Sequence, residues 1–128
     1  MTYEGAIADS NKAIEIKPDF APAYYNRSVV RSDLGAIADS NKAIEIKPDY
    51  AEPYVTRGVA RGNLGDYKGE IADSNKAIEI KPDYAEPYYN RGVVRGNLGD
   101  YKGAIADSNK AIEIKPDYAE PYVTRGVA

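Results

Sequence analysis

The sequence predicts an all-α solenoid of helix–turn–helix repeats, and three observations predict it. First, the string AIADSNKAIEIKPD begins at Ala6, Ala36 and Ala104, and again at Glu70 with that residue replacing the leading alanine, so the copies start 30, 34 and 34 residues apart. A fixed period of this length marks units that stack on one another. Second, small and apolar residues within each copy recur at three- and four-residue spacing, the pattern of an amphipathic helix. Third, every copy runs into Lys-Pro-Asp, and proline cannot continue a helical ladder. Residues 51–84 and 85–118 differ only at Val55/Tyr89, Thr56/Asn90, Ala60/Val94 and Glu70/Ala104, and residues 119–128 repeat 51–60 without change. Near-identity of this degree means recent duplication or design.

Taken in order, residues 2–20 carry a second helix without a first, with the helix over 2–17. Residues 21–50 form a repeat with a deleted turn, residues 51–84 and 85–118 form complete repeats, and residues 119–128 form a first helix alone. In the complete unit the second helix spans 104–114, where Ala104, Ile105, Ser108, Ala111, Ile112 and Ile114 share a face. Lys115-Pro116-Asp117 ends it. The following first helix is expected over residues such as 86–98, with Pro87 in the first turn, where a missing N–H costs least. Asp49/Glu52, Asp83/Glu86 and Asp117/Glu120 have capping-box spacing. Gly99 closes the first helix and Asp100 caps the second.

Composition restricts the chemistry. There is no cysteine and no histidine, which removes disulfides, thiolate nucleophiles, Cys/His zinc sites and histidine acid–base catalysis. A net charge of −3 argues against a nucleic-acid partner, which calls for a basic face. No apolar run reaches the roughly 18–20 residues of a membrane span, and MTYEGAIAD has no charged-then-apolar signal segment. The serines Ser10, Ser40, Ser74 and Ser108 each follow an aspartate, but adjacent helical residues point apart and no base is at hand. The expectation is a soluble, cytoplasmic, non-catalytic chain with no cofactor and no metal.

The unit resembles the tetratricopeptide repeat. That family's signature falls on Tyr88, Arg91, Gly92, Arg95, Ala104, Ser108 and Pro116, with the Gly, Ala and Pro slots matched, a second small slot at Ala111, and Leu98-Gly99-Asp100-Tyr101 matching the turn between helices. The resemblance covers essentially the whole chain and implies a right-handed solenoid. Three slots depart from it. The leucine slot is Arg27, Arg57, Arg91 and Arg125; the first aromatic slot is Arg31, Arg61 and Arg95; the second is Ser10, Ser40, Ser74 and Ser108. Asp39, Asp73 and Asp107 precede those serines, so Arg–Asp pairing inside each repeat is expected, most clearly for Arg57–Asp73 and Arg91–Asp107.

The repeat at 21–50 lacks four residues, reading Leu34-Gly35-Ala36 where the later copy reads Leu98 through Ala104. Two readings compete. A tighter turn at Gly35 keeps the hairpin with both helices shortened; alternatively, the helices fuse into one over about 24–46. Ser28 and Ser32 replace the glycines seen at 58 and 62, which raises helix propensity and favours fusion. A fused helix exposes the apolar faces of both halves and implies a domain-swapped homodimer hinged at Asp33, Leu34, Gly35 and Ala36. The open terminal half repeats offer a second, head-to-tail route to self-association.

By resemblance, the first helices line a concave groove for a protein or peptide partner. Its residues are Tyr25, Asn26 and Val29; Glu52, Val55, Thr56, Val59 and Asn63; and Glu86, Tyr89, Asn90, Val93 and Asn97. Glu120, Val123, Thr124 and Val127 would extend it. Val or Tyr stands in the slots where family members that clamp a terminal carboxylate carry lysine, so an apolar peptide fits better. Function thus reads as a self-associating interaction scaffold or, alternatively, a monomeric peptide-binding adaptor.

Overall fold

The computed structural model describes residues 2–118 and 120–122, with helices α1 (Tyr3–Ile16), α2 (Ala21–Val30), α3 (Asp33–Ile46), α4 (Ala51–Asn63), α5 (Tyr67–Ile80), α6 (Ala85–Asn97) and α7 (Tyr101–Ile114), and residues 120–122 helical as well. Three hairpins follow one another, α2/α3, α4/α5 and α6/α7, with α1 packed on α2 as a preceding second helix. Each second helix also packs on the next first helix. The first helices α2, α4 and α6 lie side by side. This is the expected helix–turn–helix solenoid. The half repeat 119–128 lies mostly outside the described residues, so Val123, Thr124 and Val127 are not placed; Glu120 is exposed.

Local chemistry sets each boundary. Second helices end where the N–H of Lys47, Lys81 or Lys115 bonds the carbonyl of Ala43, Ala77 or Ala111 at 2.9 Å and the next residue is proline. First helices α4 and α6 end at Gly65 and Gly99, whose φ values of +91° and +89° suit a residue without Cβ. Asp66 and Asp100 then cap α5 and α7, each accepting a 2.9 Å bond from the Gly69 or Gly103 N–H. The capping box does not form on α4 or α6. Their N-caps are Tyr50 and Tyr84, without a side-chain bond, because the Lys-Pro-Asp-Tyr segment closes its own turn through Tyr50 N–H to Lys47 O at 3.1 Å and leaves Asp49 one residue early.

The core is thin and built of small residues. Ala43, Ala77 and Ala111 are fully buried, and Tyr54 and Val55 add bulk against Ala77, flanked by Ile44, Ile80 and Tyr84. Close approach explains the interior glycines. A Cβ on Gly58 would stand 3.1 Å from Asp73 Cβ and 3.4 Å from the Glu70 carbonyl, and Gly92 meets Asp107 and Ala104 in the same way.

The expected Arg–Asp pairing forms in all three hairpins. Arg57 grips Asp73 at 2.7 and 3.1 Å, Arg91 grips Asp107 at 2.7 and 3.0 Å, and Arg27 grips Asp39 at 2.7 and 2.9 Å. Arg31, Arg61 and Arg95 add a second guanidinium at 3.3, 3.0 and 2.9 Å to the same carboxylates.

The fused helix over 24–46 does not form. Arg31 (ψ 162°) and Ser32 (ψ 166°) are extended and separate α2 from α3, which fold back on each other. Folding back lets Arg27 and Arg31 meet Asp39, and Ser28 of α2 is buried, as are Ala36, Ser40 and Ala43 of α3. A continuous helix would hold those halves apart. The hinge assignment fails with it: Asp33, Leu34, Gly35 and Ala36 are the first turn of α3, not a connector. The tight-turn reading is also adjusted, since the bend lies at 31–32 and only α2 is shortened, to 10 residues against 13 in α4 and α6.

Candidate functional site

Three first helices side by side, one of them a turn short, leave a recess on the face they share. A cavity of about 300 Å³ opens beside the shortened end of α2. Val29 from α2 and Val59 from α4 form its apolar walls, 56% and 37% exposed. Thr56 and Asn63 of α4 and Glu86 of α6 line it as well, so helices of three successive repeats converge there. Asn63 donates to Asp33 Oδ1 at 3.2 Å across the mouth.

Other expected groove residues are placed differently. Val55 touches the cavity but is 5% exposed and belongs to the core with Tyr54 and Ala77. Asn26 is exposed, and borders a separate cavity against α1 with Ala6, Asp9 and Ser10. Tyr25 is half-buried with its ring centroid 5.5 Å from that of Tyr50. Tyr89 meets Tyr118 in the same way at 5.5 Å. Glu52, Asn90 and Val93 are partly buried, and Asn97 is exposed.

The tyrosines of the inter-repeat turns, Tyr50, Tyr84 and Tyr118, reach this face and were not among the expected groove residues. Their signal was the aromatic residue that follows every Pro-Asp. The ammonium groups of Lys47, Lys81 and Lys115 lie 4.8–5.4 Å from the centroids of those rings, a cation–π distance. Arg31, Asp33 and Ala36 also line the cavity, a place that neither the Arg–Asp pairing nor the hinge expectation gives them.

Charges of both signs share the face, with Lys47, Lys81 and Lys115 over the rings and Glu52 and Glu86 among them. Burial pushes the Tyr25 hydroxyl above its ordinary range, and the Glu52 and Glu86 carboxylates add to the shift. Burial raises Tyr84 further, with Glu86, Tyr25, Glu52 and Tyr118 contributing. Tyr118 is pushed up to about 12, first by burial and then by Glu86. Glu86 itself is raised by burial, with Lys115 pulling the other way. Five groups from three repeats thus share one electrostatic neighbourhood.

A family model described as "TPR repeat" matches residues 63–99, and one described as "Tetratricopeptide repeat" matches residues 85–118. Among solved structures, MamA is 26% identical with a TM-score of 0.83, over 98% of this chain and 75% of that one. A thermophilic TPR protein of Thermus thermophilus is 18% identical with a TM-score of 0.83, over 98% and 72%. The TPR domain of Arabidopsis OM64 is 24% identical with a TM-score of 0.72, over 92% and 95%. The latter two likenesses speak to fold alone. No curated protein sequence matches the chain.

Proposed function

The chain is a tetratricopeptide repeat protein, and from that premise we propose that the shared face of α2, α4 and α6 holds an extended peptide, making the chain a non-catalytic adaptor. The fold supports a protein–protein interaction scaffold. One observation carries the peptide groove. The cavity beside the end of α2 combines exposed valines, Val29 and Val59, with side chains able to hydrogen-bond a peptide backbone, Thr56 and Asn63. That mixture of apolar wall and a few placed polar groups is what peptide sites use. A peptide array probed with the chain and with its Val59→Asp variant tests the proposal. Binding that disappears in the variant, with helical content unchanged, supports the groove; equal binding by both overturns it.

A second reading, self-association, is favoured by one feature of α1. Asp39, Asp73 and Asp107 are 3% exposed and each held by two arginines, whereas Asp9, the same slot on α1, is exposed beside a cavity of about 360 Å³. A first helix from a second copy, carrying the Arg-Gly pair that α4 presents to α5, fits that slot in chemistry. Light-scattering mass should then rise with concentration and fall back in Asp9→Lys. A constant 14.0 kDa excludes this route. Because α2 and α3 pair within one chain, helix fusion is no longer a cause of dimerisation.

A further inference from the structure

Inside the stack, each first helix closes tightly over the second helix of its own hairpin. Gly58 of α4 stands so near α5 that a Cβ on it would lie 3.1 Å from Asp73 Cβ. Arg57 and Arg61 hold that carboxylate, and Tyr54 and Val55 bury with Ala77, beside Tyr84. In the repeat register Asp9 corresponds to Asp73, Ala13 to Ala77 and Phe20 to Tyr84. The surface that α5 gives to α4 is therefore present again on α1, but open. Asp9 is exposed and Ala13 half-buried, whereas Asp73 and Ala77 are buried. The cavity of about 360 Å³ there has walls from both α1 and α2, Asp9 and Ala13 on one side and Ala23 and Asn26 on the other. It occupies the position that α4 takes between α5 and α6.

The other end of the chain carries the matching half. Residues 119–128 read AEPYVTRGVA, letter for letter residues 51–60 of α4. Residues 120–122 are already seated as the start of a first helix. The Tyr122 hydroxyl donates to the Pro116 carbonyl at 3.1 Å, as Tyr24 does to Pro18 at 3.2 Å and Tyr54 to Pro48 at 3.4 Å. Pro121 is fully buried, like Pro53 and Pro87. Tyr122 is nevertheless 42% exposed, against 8% for Tyr54, which packs with Ala77 of α5. Ten residues are enough for such a contact, since α2 has ten and closes on α3 through Arg27 and Asp39.

We propose that residues 119–128 of one copy dock on α1 of a second copy, completing there the hairpin that α4 makes with α5. The inference rests on the self-association reading above and names the two surfaces that meet. Arg125 takes the place of Arg57 and meets Asp9. Gly126 takes that of Gly58 and lets the backbones approach, and Tyr122 covers Ala13. Charge complementarity and the small residues around Asp9 select this occupant: an arginine followed directly by a glycine, on a helix with a tyrosine one turn earlier. Two different patches of the molecule meet, so the contact is heterologous and adds copies head to tail instead of closing a pair. Residues 119–128 supply one guanidinium where Asp73 has two. The joint is thus weaker than an internal hairpin and fills by mass action.

The test uses two variants of the 128-residue chain, each blocked at one surface. Asp9→Arg puts a cation where Arg125 docks. Gly126→Leu places a side chain where, at Gly58, even a Cβ is crowded. By light-scattering mass behind size exclusion, the parent should grow above 14.0 kDa with concentration. Each variant alone should stay at 14.0 kDa with unchanged circular dichroism. Their equimolar mixture should reach twice that mass and stop, because the product joins the two intact surfaces and has both outer ones blocked. Two monomeric variants whose mixture does not dimerise overturn the inference. Growth lost in Asp9→Arg but kept in Gly126→Leu also overturns it, leaving the α1 slot to a different part of the second copy. Growth kept in Asp9→Arg, or a parent mass constant at every concentration, overturns both the inference and the self-association reading.

Discussion

Arg57 of α4 holds both oxygens of the Asp73 carboxylate of α5, through Nε at 3.1 Å and Nη2 at 2.7 Å, while its Nη1 donates to Asn41 of α3 at 2.9 Å. One side chain in the family's leucine slot therefore ties three helices of two repeats. The arrangement repeats with Asn11–Arg27–Asp39 and Asn75–Arg91–Asp107. Buried ion pairs add less net stability than their geometry suggests, since both ions lose water, but breaking one partner leaves the other uncompensated. In a stack whose core is mostly alanine, these polar joints fix how successive helices register.

Replacing Arg57 by Met should therefore destabilise the chain by about 2 kcal/mol, below the roughly 3–5 kcal/mol of an isolated buried pair. The reason for the smaller loss is Arg61, which remains 3.0 Å from the same carboxylate. Urea unfolding followed by circular dichroism checks this, and the double variant Arg57→Met/Arg61→Met should lose clearly more than the sum of the singles. Simple additivity would mean that the two guanidiniums do not share Asp73.

Ser40 occupies the slot where the family signature has an aromatic residue, and its hydroxyl is fully buried without a hydrogen-bond partner. An unmet buried hydroxyl costs on the order of 1 kcal/mol. Ser40→Ala removes the polar atom and leaves the small volume intact, so it should raise stability by up to about 1 kcal/mol. A loss of stability in the urea midpoint would show that the hydroxyl is satisfied in solution.

Glu70 stands where Ala36 and Ala104 are buried 4% and 1% exposed, against Gly62 on the facing helix. Burial pushes its carboxyl up to about 7 from an ordinary 4.5. The folded state thus binds this proton more tightly than the unfolded chain, so the contribution is fully present below about pH 4.5 and is lost as pH rises through about 7. Glu70→Ala should raise the urea midpoint at pH 8, by on the order of 1 kcal/mol, and do less at pH 5. Equal effects at both pH values would locate the cost in packing rather than charge.

The repeat, its helices and the Arg–Asp pairing were legible in the sequence because periodicity and opposite charges at matched positions survive without coordinates. What was not legible was the place of the bend in the short repeat. Helix propensity at Ser28 and Ser32 favoured continuity, but propensity differences of a few tenths of a kcal/mol are outweighed by pairing Arg27 and Arg31 with Asp39 and burying the Ala/Ser faces of α2 and α3. The groove was legible in part. Spacing placed Val29, Thr56, Val59 and Asn63 on one face, yet Val55 sits on the boundary of that face and turned into the core. Tyr50, Tyr84 and Tyr118 escaped because they belong to turns, where helical periodicity carries no information.

The location of the bend is itself testable through two glycines that look alike in sequence, each following a leucine. Gly99 has φ +89° and closes α6, so a Cβ there is strained even though nothing lies within 4 Å of it. Gly99→Ala should cost about 1 kcal/mol. Gly35 has no such backbone requirement, being inside the first turn of α3. Alanine at 35 gains helix propensity, up to about 1 kcal/mol, but its Cβ would come 3.0 Å from Arg31 Cδ and 3.1 Å from Arg31 Cβ. Those terms oppose, and Gly35→Ala should fall within about 0.5 kcal/mol of the parent chain. Comparing urea midpoints of the two variants decides the matter, since a Gly35→Ala loss as large as that at Gly99 would return the bend to Leu34-Gly35 and remove the cavity from beside α2.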